Sequence, residues 1–488
     1  MSTLTKVGQL RQGILGVREA FAESFALMAL VLASSLATTA VAANVGAPAP
    51  LVWLLAGGAS LCLASVIIRF TRRMASAGGV YTYTARGLNP QAGFVAGWLY
   101  TWGFAAGISF VLVISSVYLS TVLKVHAHIG LNWFPCFLIL FVLMTALALV
   151  DIRVSTRVQL VLAALGALSV LVLLFIILGK GGAGGINLQP FNPSRIQGGT
   201  HGFFLAAVFA FTGFIGFEAA SVLGEEAAEP LKVIPRAILA AVLVGLVYFV
   251  FLNWVMSLGF GVNHAADWGK DPTALDTLAT RYAGNWLAVV VDIAVVVDAF
   301  VAALAGVLLV SRTAFTMGRD GGLPRIFAWT HPRFRTPWVS IIASLALTIA
   351  LVIWGARIQY DPFTYFAFMG TTASLGLLFV YILISAAGMV YFWRRREGQE
   401  VGYSILFDIV FPLVAIVICA LTIYWSCVPT PPHPISMAPY IAGIWTALGV
   451  AILLWLNMKS PEKVRAFGRL LGEEGDVETR PEPVSQTT

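Results

Sequence analysis

Runs of roughly 18 or more mainly apolar residues recur along nearly the whole chain, and each is long enough to cross a hydrocarbon layer about 30 Å thick at about 1.5 Å per residue. Twelve such stretches are read, at 21–44, 51–70, 92–123, 133–150, 158–178, 201–223, 238–260, 286–310, 338–354, 363–392, 405–427 and 439–456. Of the 488 residues 59% are hydrophobic and only 11% charged, against roughly a quarter charged in an ordinary soluble domain. The medium in which this chain folds is lipid. A backbone in lipid must satisfy its own peptide groups, which leaves helices as the form for segments of this length.

Basic residues test the topology independently, because Lys and Arg in short loops favour the cytoplasmic side. With both termini inside, Lys124, Lys180, Arg195, Lys270, Arg281 and Arg357 fall outside and the other 24 of the 30 fall inside. The formal charge of +7 is thus a topology signal, and no basic patch is left over for nucleic acid. The expected setting is the cytoplasmic (plasma) membrane, crossed many times. The first twenty residues are polar and the first apolar stretch is of full span length, with no clear small-residue cleavage site, so the first helix is read as its own insertion signal. Cys62, Cys136, Cys419 and Cys427 lie in or beside apolar stretches without metal-ligand spacing, and are read as small apolar residues.

Loops are short, and no soluble domain is inserted. Residues 1–20 form a cytoplasmic segment, 21–392 a ten-helix core, 405–456 two peripheral helices, and 459–488 a cytoplasmic tail rich in Glu, Pro and Ser that is expected to be disordered. Two spans carry small and polar residues where a helix would unwind: the first, with Ala33-Ser34-Ser35-Leu36-Ala37-Thr38-Thr39, and the sixth, with Thr212-Gly213-Phe214-Ile215-Gly216. An unwound backbone at membrane depth must line a cavity. The two stretches lie five spans apart, which predicts matched halves of opposite orientation. The fold class expected is therefore an all-α membrane protein of 12 transmembrane helices, a 5+5 inverted repeat with discontinuous helices 1 and 6, plus two peripheral helices. The competing reading of both stretches is close helix packing through small residues.

Four further segments carry a resemblance. Ser76-Ala77-Gly78-Gly79-Val80-Tyr81-Thr82-Tyr83 is similar to a SAGGxYxY segment. Residues 211–218 with Gly224-Glu225-Glu226-Ala227 and Ile234-Pro235-Arg236-Ala237-Ile238 resemble FxxFxGFE…EE…NPxxxIPRAI. Ser311-Arg312 with Arg319-Asp320-Gly321-Gly322-Leu323-Pro324 resembles SR…ARDGxLP, and His331-Pro332 with Arg335-Thr336-Pro337 resembles HPxxxTP. In this order the four are similar to the amino acid-polyamine-organocation superfamily of permeases, over roughly residues 20–460. The resemblance implies a ten-helix bundle with substrate held between broken helices 1 and 6, where half-helix ends offer amides to a carboxylate and carbonyls to an ammonium. Departures are plain: Ala33-Ser34-Ser35-Leu36 stands where the family shows a GSGIF-like motif, Arg69 where a glutamate is usual, and Gly166 where some proton-coupled relatives carry a lysine.

An ionisable side chain at the bilayer centre costs about 2.5–3.5 kcal/mol on insertion scales. Asp298 lies fourteen residues before Arg312, or about 21 Å at helical rise, near mid-membrane. A carboxylate there suits Na⁺, a proton, a cationic substrate, or simple satisfaction by a neighbouring hydroxyl. Glu218 follows the interruption in the sixth span and is read either as a pathway residue or as a cap. Glu225, Glu226 and Glu229 are expected to face Lys232 and Arg236 in a cytoplasmic ion-pair cluster. The substrate-binding candidates are Ala33, Ser34, Ser35, Thr38, Phe211, Thr212, Gly213, Phe214 and Gly216, with Asp298 and Glu218 for coupling or gating.

A six-plus-six facilitator would show a long central loop, and an intramembrane enzyme would show clustered acids or histidines at mid-depth; this chain shows neither. A nutrient sensor would need a large cytoplasmic domain. The expectation is a secondary transporter, or an exchanger of the same fold, for an amino acid or related amine, working in the lipid bilayer without a cofactor. H⁺ or Na⁺ is the expected coupling ion, any Na⁺ lying near Asp298. Nothing in the sequence sets an oligomeric state.

Overall fold

The computed structural model describes residues 9–150, 152–271, 273–396 and 402–468, and these form helices, with one isolated bridge between Leu15 and Ala227. In chain order the helices are α1 (Val17–Leu27), α2 (Leu30–Val45), α3 (Ala49–Thr71), α4 (Val80–Gly87), α5 (Pro90–His126), α6 (Trp133–Leu149), α7 (Ile152–Gly179), α8 (Gly199–Thr212) and α9 (Pro230–Phe260). There follow α10 (Ala265–Lys270), α11 (Ala274–Ala283), α12 (Asn285–Arg319), α13 (Trp338–Arg357), α14 (Pro362–Arg394), α15 (Phe411–Cys427), α16 (Ala438–Lys459) and α17 (Pro461–Arg465). Ten stretches among the described residues, with α1 and α2 taken together, have the length and apolarity to cross a membrane. Two of the twelve stretches read from sequence appear as the shorter apolar helices α6 and α8.

Local sequence sets several of the helix starts. Pro90 and Pro362 occupy first-turn positions where a missing N–H costs nothing, and the preceding Asn89 and Asp361 side chains accept from Ala92 N and from Phe363 N and Thr364 N. The element order also repeats. A short helix, α4, precedes the long α5, and a short helix, α11, precedes the long α12. The two long helices pack against each other, as do α3 and α9. Helix α12 forms the centre, with 89% of its apolar window buried against 28% and 11% for the last two membrane-length stretches. Apolar side chains left exposed on the outer helices, such as Val142, Phe175 and Ile444, are ordinary where the solvent is lipid.

Small residues let the helices approach closely. A Cβ on Gly87 would lie 2.6 Å from the Ala387 carbonyl oxygen, and one on Gly93 would lie 2.8 Å from Ala85 Cα. The start of α15 is a π-helical turn, Leu406–Val410, and it carries Asp408 to Arg69 of α3 (Nε–Oδ1 2.6 Å, Nη2–Oδ2 2.9 Å). Arg69, a basic residue in an otherwise apolar helix, is thereby paired with the segment that leads into α15.

The tail departs in part from expectation. Residues 459–468 are not a free segment: Val464 and Phe467 are buried, Phe467 stacking on Phe94 (5.6 Å), and Gly468 N donates to Asp320 Oδ2 (2.8 Å). Two apolar side chains in a charged stretch suffice to dock it. The disorder expected for 469–488, like the structure of 1–8, lies outside the described residues.

Gly87→Val pushes a side chain into a backbone carbonyl that has no rotamer in which to yield. Thermal denaturation of the detergent-purified protein should show a loss of about 1–3 kcal/mol. Gly58→Ala, where a Cβ meets nothing within 4 Å, should be neutral or slightly stabilising.

Candidate functional site

Helix α1 stops at Leu27 and α2 begins at Leu30 because Ala29 adopts a left-handed conformation, φ 47°, which a residue with a Cβ rarely occupies. Its amide returns to Ala26 O (3.1 Å) instead of the helical i−4 partner. The next free amides, Val31 N and Leu32 N, both donate to one oxygen of Asp298, Oδ2, at 2.9 and 3.0 Å. Asp298 reaches them from the middle of α12 and is 1% exposed. A carboxylate at a helix N-terminus is stabilised both by these donors and by the helix dipole. The carbonyls of Leu27 and Met28, which those two amides would meet in an unbroken helix, are released from the ladder.

The interruption therefore falls ahead of the stretch from Ala33 to Thr39 where sequence placed it. Ala33, Ser34, Ser35 and Thr38 lie inside continuous α2. Their hydroxyls reinforce it: Ser34 Oγ donates to Leu30 O and Thr38 Oγ1 to Ser34 O, each at 2.6 Å. Such back-bonding is compatible with a regular helix, so hydroxyl content alone did not locate the break. Ser34 Oγ also lies 3.0 Å from Tyr248 Oη of α9, and Ser35 Oγ 2.9 Å from Tyr118 Oη of α5. These pairs form a neutral hydroxyl wall beside the junction. Ala33 is half-buried on the same helix. Gly166 of α7 sits opposite Val31, where a Cβ would lie 3.4 Å from Val31 Cγ2.

In the sixth apolar stretch, α8 ends at Thr212 and the chain continues in tight turns. Phe214 N reaches Phe211 O (3.0 Å), Ile215 N reaches Thr212 O (3.1 Å), and Ala219 N reaches Gly216 O (3.0 Å). A 3₁₀ segment, Ala219–Leu223, follows. Gly216, at φ 103°, is where the path requires glycine, and its bare backbone abuts the end of α1: a Cβ there would lie 2.7 Å from Leu27 Cγ. The two interruptions thus touch, Leu27 against Gly216. Phe211 is buried, and Phe214 packs with Trp53 (6.0 Å) and Phe249 (5.4 Å) in an aromatic core that also covers Gly213. Thr212 turns its hydroxyl back on Phe209 O (2.8 Å).

Glu218 bridges helices. Its Oε1 accepts from Tyr100 Oη of α5 (3.1 Å) and Tyr381 Oη of α14 (2.8 Å), while the buried Oε2 has no partner among the described residues. Its side chain makes no capping hydrogen bond to the 3₁₀ segment that follows.

Toward the arginine-rich end of α12 the chemistry becomes ionic. Arg312 grips Glu226 with two bonds (2.6 and 3.1 Å), and Arg319 grips Glu225 with two more (3.0 and 2.9 Å). Ala77 N donates to Glu225 Oε1 (3.0 Å), and Ile14 N and Leu15 N both donate to Glu226 O. The expected pairing of Glu225 and Glu226 with Lys232 and Arg236 is therefore corrected. Carboxylates this deeply buried need the fixed fork of a buried guanidinium, which α12 supplies. Glu229 and Lys232 alone keep the expected contact (2.6 Å), and that hydrogen bond holds the exposed Glu229 carboxyl below its ordinary range.

One further buried acid lies in α1. Glu23 in α1 is fully buried; Gln159 and the Arg312–Glu226 pair surround it, yet neither of its oxygens reaches hydrogen-bonding geometry. It stands third in the first apolar stretch, close to where hydropathy sets that stretch's edge. The helix continues back to Val17, which places Glu23 six residues inside it. Among the described residues no three His, Cys, Asp or Glu side chains gather as a metal site.

The geometry can be set beside known proteins. The model of the amino acid permease family matches residues 15–452. This chain belongs to the amino acid permease family. The permease is 27% identical to the branched-chain amino acid permease BcaP of Bacillus subtilis, covering 71% of this chain and 73% of that one. It is 27% identical to the methylthioribose transporter of the same organism (86% and 88% covered) and 29% identical to the low-affinity putrescine importer PlaP of Escherichia coli (62% and 67% covered). The solved Eremococcus coleocola manganese transporter superimposes with a TM-score of 0.59 at 13% identity, over 95% of this chain and 99% of that one, which is a likeness of fold. The relatives are permeases and transporters, not enzymes. This is a multi-pass membrane transporter for amino acids or amines.

Removing one member of a desolvated ion pair strands the other. In this permease Glu226→Ala should cost about 3–5 kcal/mol, and the double replacement Glu226→Leu with Arg312→Met should recover most of the loss. A thermal-denaturation double-mutant cycle on the purified protein reads both.

Proposed function

We propose that the permease is a secondary transporter that moves an amino acid or related amine across the plasma membrane by alternating access, its cargo held where the two interrupted helices meet. The observation that carries this reading is the contact of Leu27 with Gly216, because it brings two breaks in the helical ladder together at membrane depth. Peptide groups freed from a helix suit a small zwitterion or amine. Contact with cargo falls to the carbonyls of Leu27 and Met28 and to the backbone about Gly216, with Ser34, Ser35 and Thr38 of α2 as a hydroxyl wall and Phe211 and Phe214 as the apolar side.

On the distribution of Lys and Arg, both termini and the Arg312–Glu226 layer face the cytoplasm. The two buried ion pairs then form the inner closure, and inward opening must part Glu225 and Glu226 from α12. Asp298 and Glu218 are the acids placed to sense H⁺ or Na⁺ during that movement.

Counterflow of labelled leucine and putrescine into proteoliposomes, with and without imposed pH and Na⁺ gradients, tests the reading. At least one label should exchange, and Gly216→Val should lower its rate tenfold or more while the protein elutes as a single species. Failure of every amino acid and amine tried would end the proposal. Orientation is read separately with single cysteines in a background lacking the native four: an impermeant maleimide should label Lys270→Cys in intact cells and Arg333→Cys only after permeabilisation. The reverse pattern would invert the assignment.

A further inference from the structure

A half-helix that begins inside a membrane protein offers its first amides to an anion. In this permease those amides are already engaged. Val31 N and Leu32 N both donate to Asp298 Oδ2, and Asp298 is fixed in the middle of the most buried helix rather than on a mobile loop. The place where an incoming carboxylate would dock is filled by the protein's own.

What remains at the junction is rich in acceptors. Asp298 Oδ1 makes no hydrogen bond to any described residue, and the carbonyls of Leu27 and Met28 have lost their helical partners to the same carboxylate. The adjoining hydroxyls, Ser34 with Tyr248 and Ser35 with Tyr118, are already paired. The basic residue that follows on α12, Arg312, lies fourteen residues away and is spent on Glu226. An ammonium brings three donors and no acceptor, and so matches this set. A carboxylate would face a like charge with no free cation to offset it.

Resting on the transport reading above, we infer that the cargo is an amine without an α-carboxylate, its ammonium held by Asp298 at the start of α2. Ejecting Asp298 to admit an amino acid's carboxylate would leave a buried charge without partners, so discrimination against zwitterions is built into the backbone junction.

Matched pairs test this on the wild-type protein: putrescine against ornithine, cadaverine against lysine, and 3-methylbutylamine against leucine. Binding is followed by thermal shift and calorimetry on the purified permease, and transport by counterflow in proteoliposomes. In every pair that binds, the amine should bind at least tenfold tighter than its amino acid. Asp298→Asn keeps an oxygen for the two amides but removes the charge, and should weaken the amine tenfold or more without weakening the amino acid. Amino acids that bind or exchange as well as their amines would overturn the inference and leave the transport reading standing. If no member of any pair binds or exchanges, both fall together. The wild-type comparison stands even if the variant fails to fold.

Discussion

The structure depends on how a broken helix survives in a medium that offers its peptide groups no water. An unpaired amide in hydrocarbon costs several kcal/mol, and the α1–α2 junction would strand at least two of them. Asp298 satisfies both with a single oxygen. A hydrogen bond to a charged group is worth about 1.5–3 kcal/mol, so two of them offset the roughly 2.5–3.5 kcal/mol that insertion scales assign to a mid-membrane acid. Acid and break are therefore one feature: neither is tolerable at that depth without the other.

Helix α12 organises the interior because it carries both signs of charge on one rigid element. Asp298 meets the amides of α2, and about 21 Å along the same axis Arg312 meets Glu226. One region is sealed by neutral hydroxyl pairs and backbone caps, the other by two buried guanidinium forks stitched to the N-terminal segment through Leu15. These are different kinds of bond. Hydroxyl pairs exchange partners cheaply, whereas a desolvated fork must find a replacement for its charge before it lets go. Glu218, held by tyrosines from α5 and α14, lies on the segment that joins the sixth-stretch break to this ionic layer.

Much of this was legible from residues alone. Length and apolarity gave the membrane class, and Gly216 stands where the chain beyond α8 takes a positive φ that glycine allows. The first interruption was misplaced because it uses no glycine: Ala29 takes the left-handed conformation, and what permits it is an acceptor 267 residues away from Val31. No local pattern carries that information. Asp298 itself was flagged by depth, but not its partners, since backbone amides leave no trace in composition. Glu225 and Glu226 were assigned to the nearest cations in sequence. Tertiary structure favours arginines 86 and 94 residues on, whose side chains are buried as the two carboxylates are. Glu23 was overlooked for a related reason, its helix starting earlier than hydropathy suggests.

The docking of Gly468 joins parts of the chain as much as 387 residues apart. The chain is made from its N-terminus, so Tyr81, Arg86 and Asp320 are all synthesised before the segment that they hold. Arg86 Nε donates to Gly468 O at 3.0 Å, and Asp320 Oδ2 accepts from Gly468 N at 2.8 Å. That seam needs Gly468, so it closes only after α16 and α17 have been made, and this end of the assembly stays open while the chain is half-built.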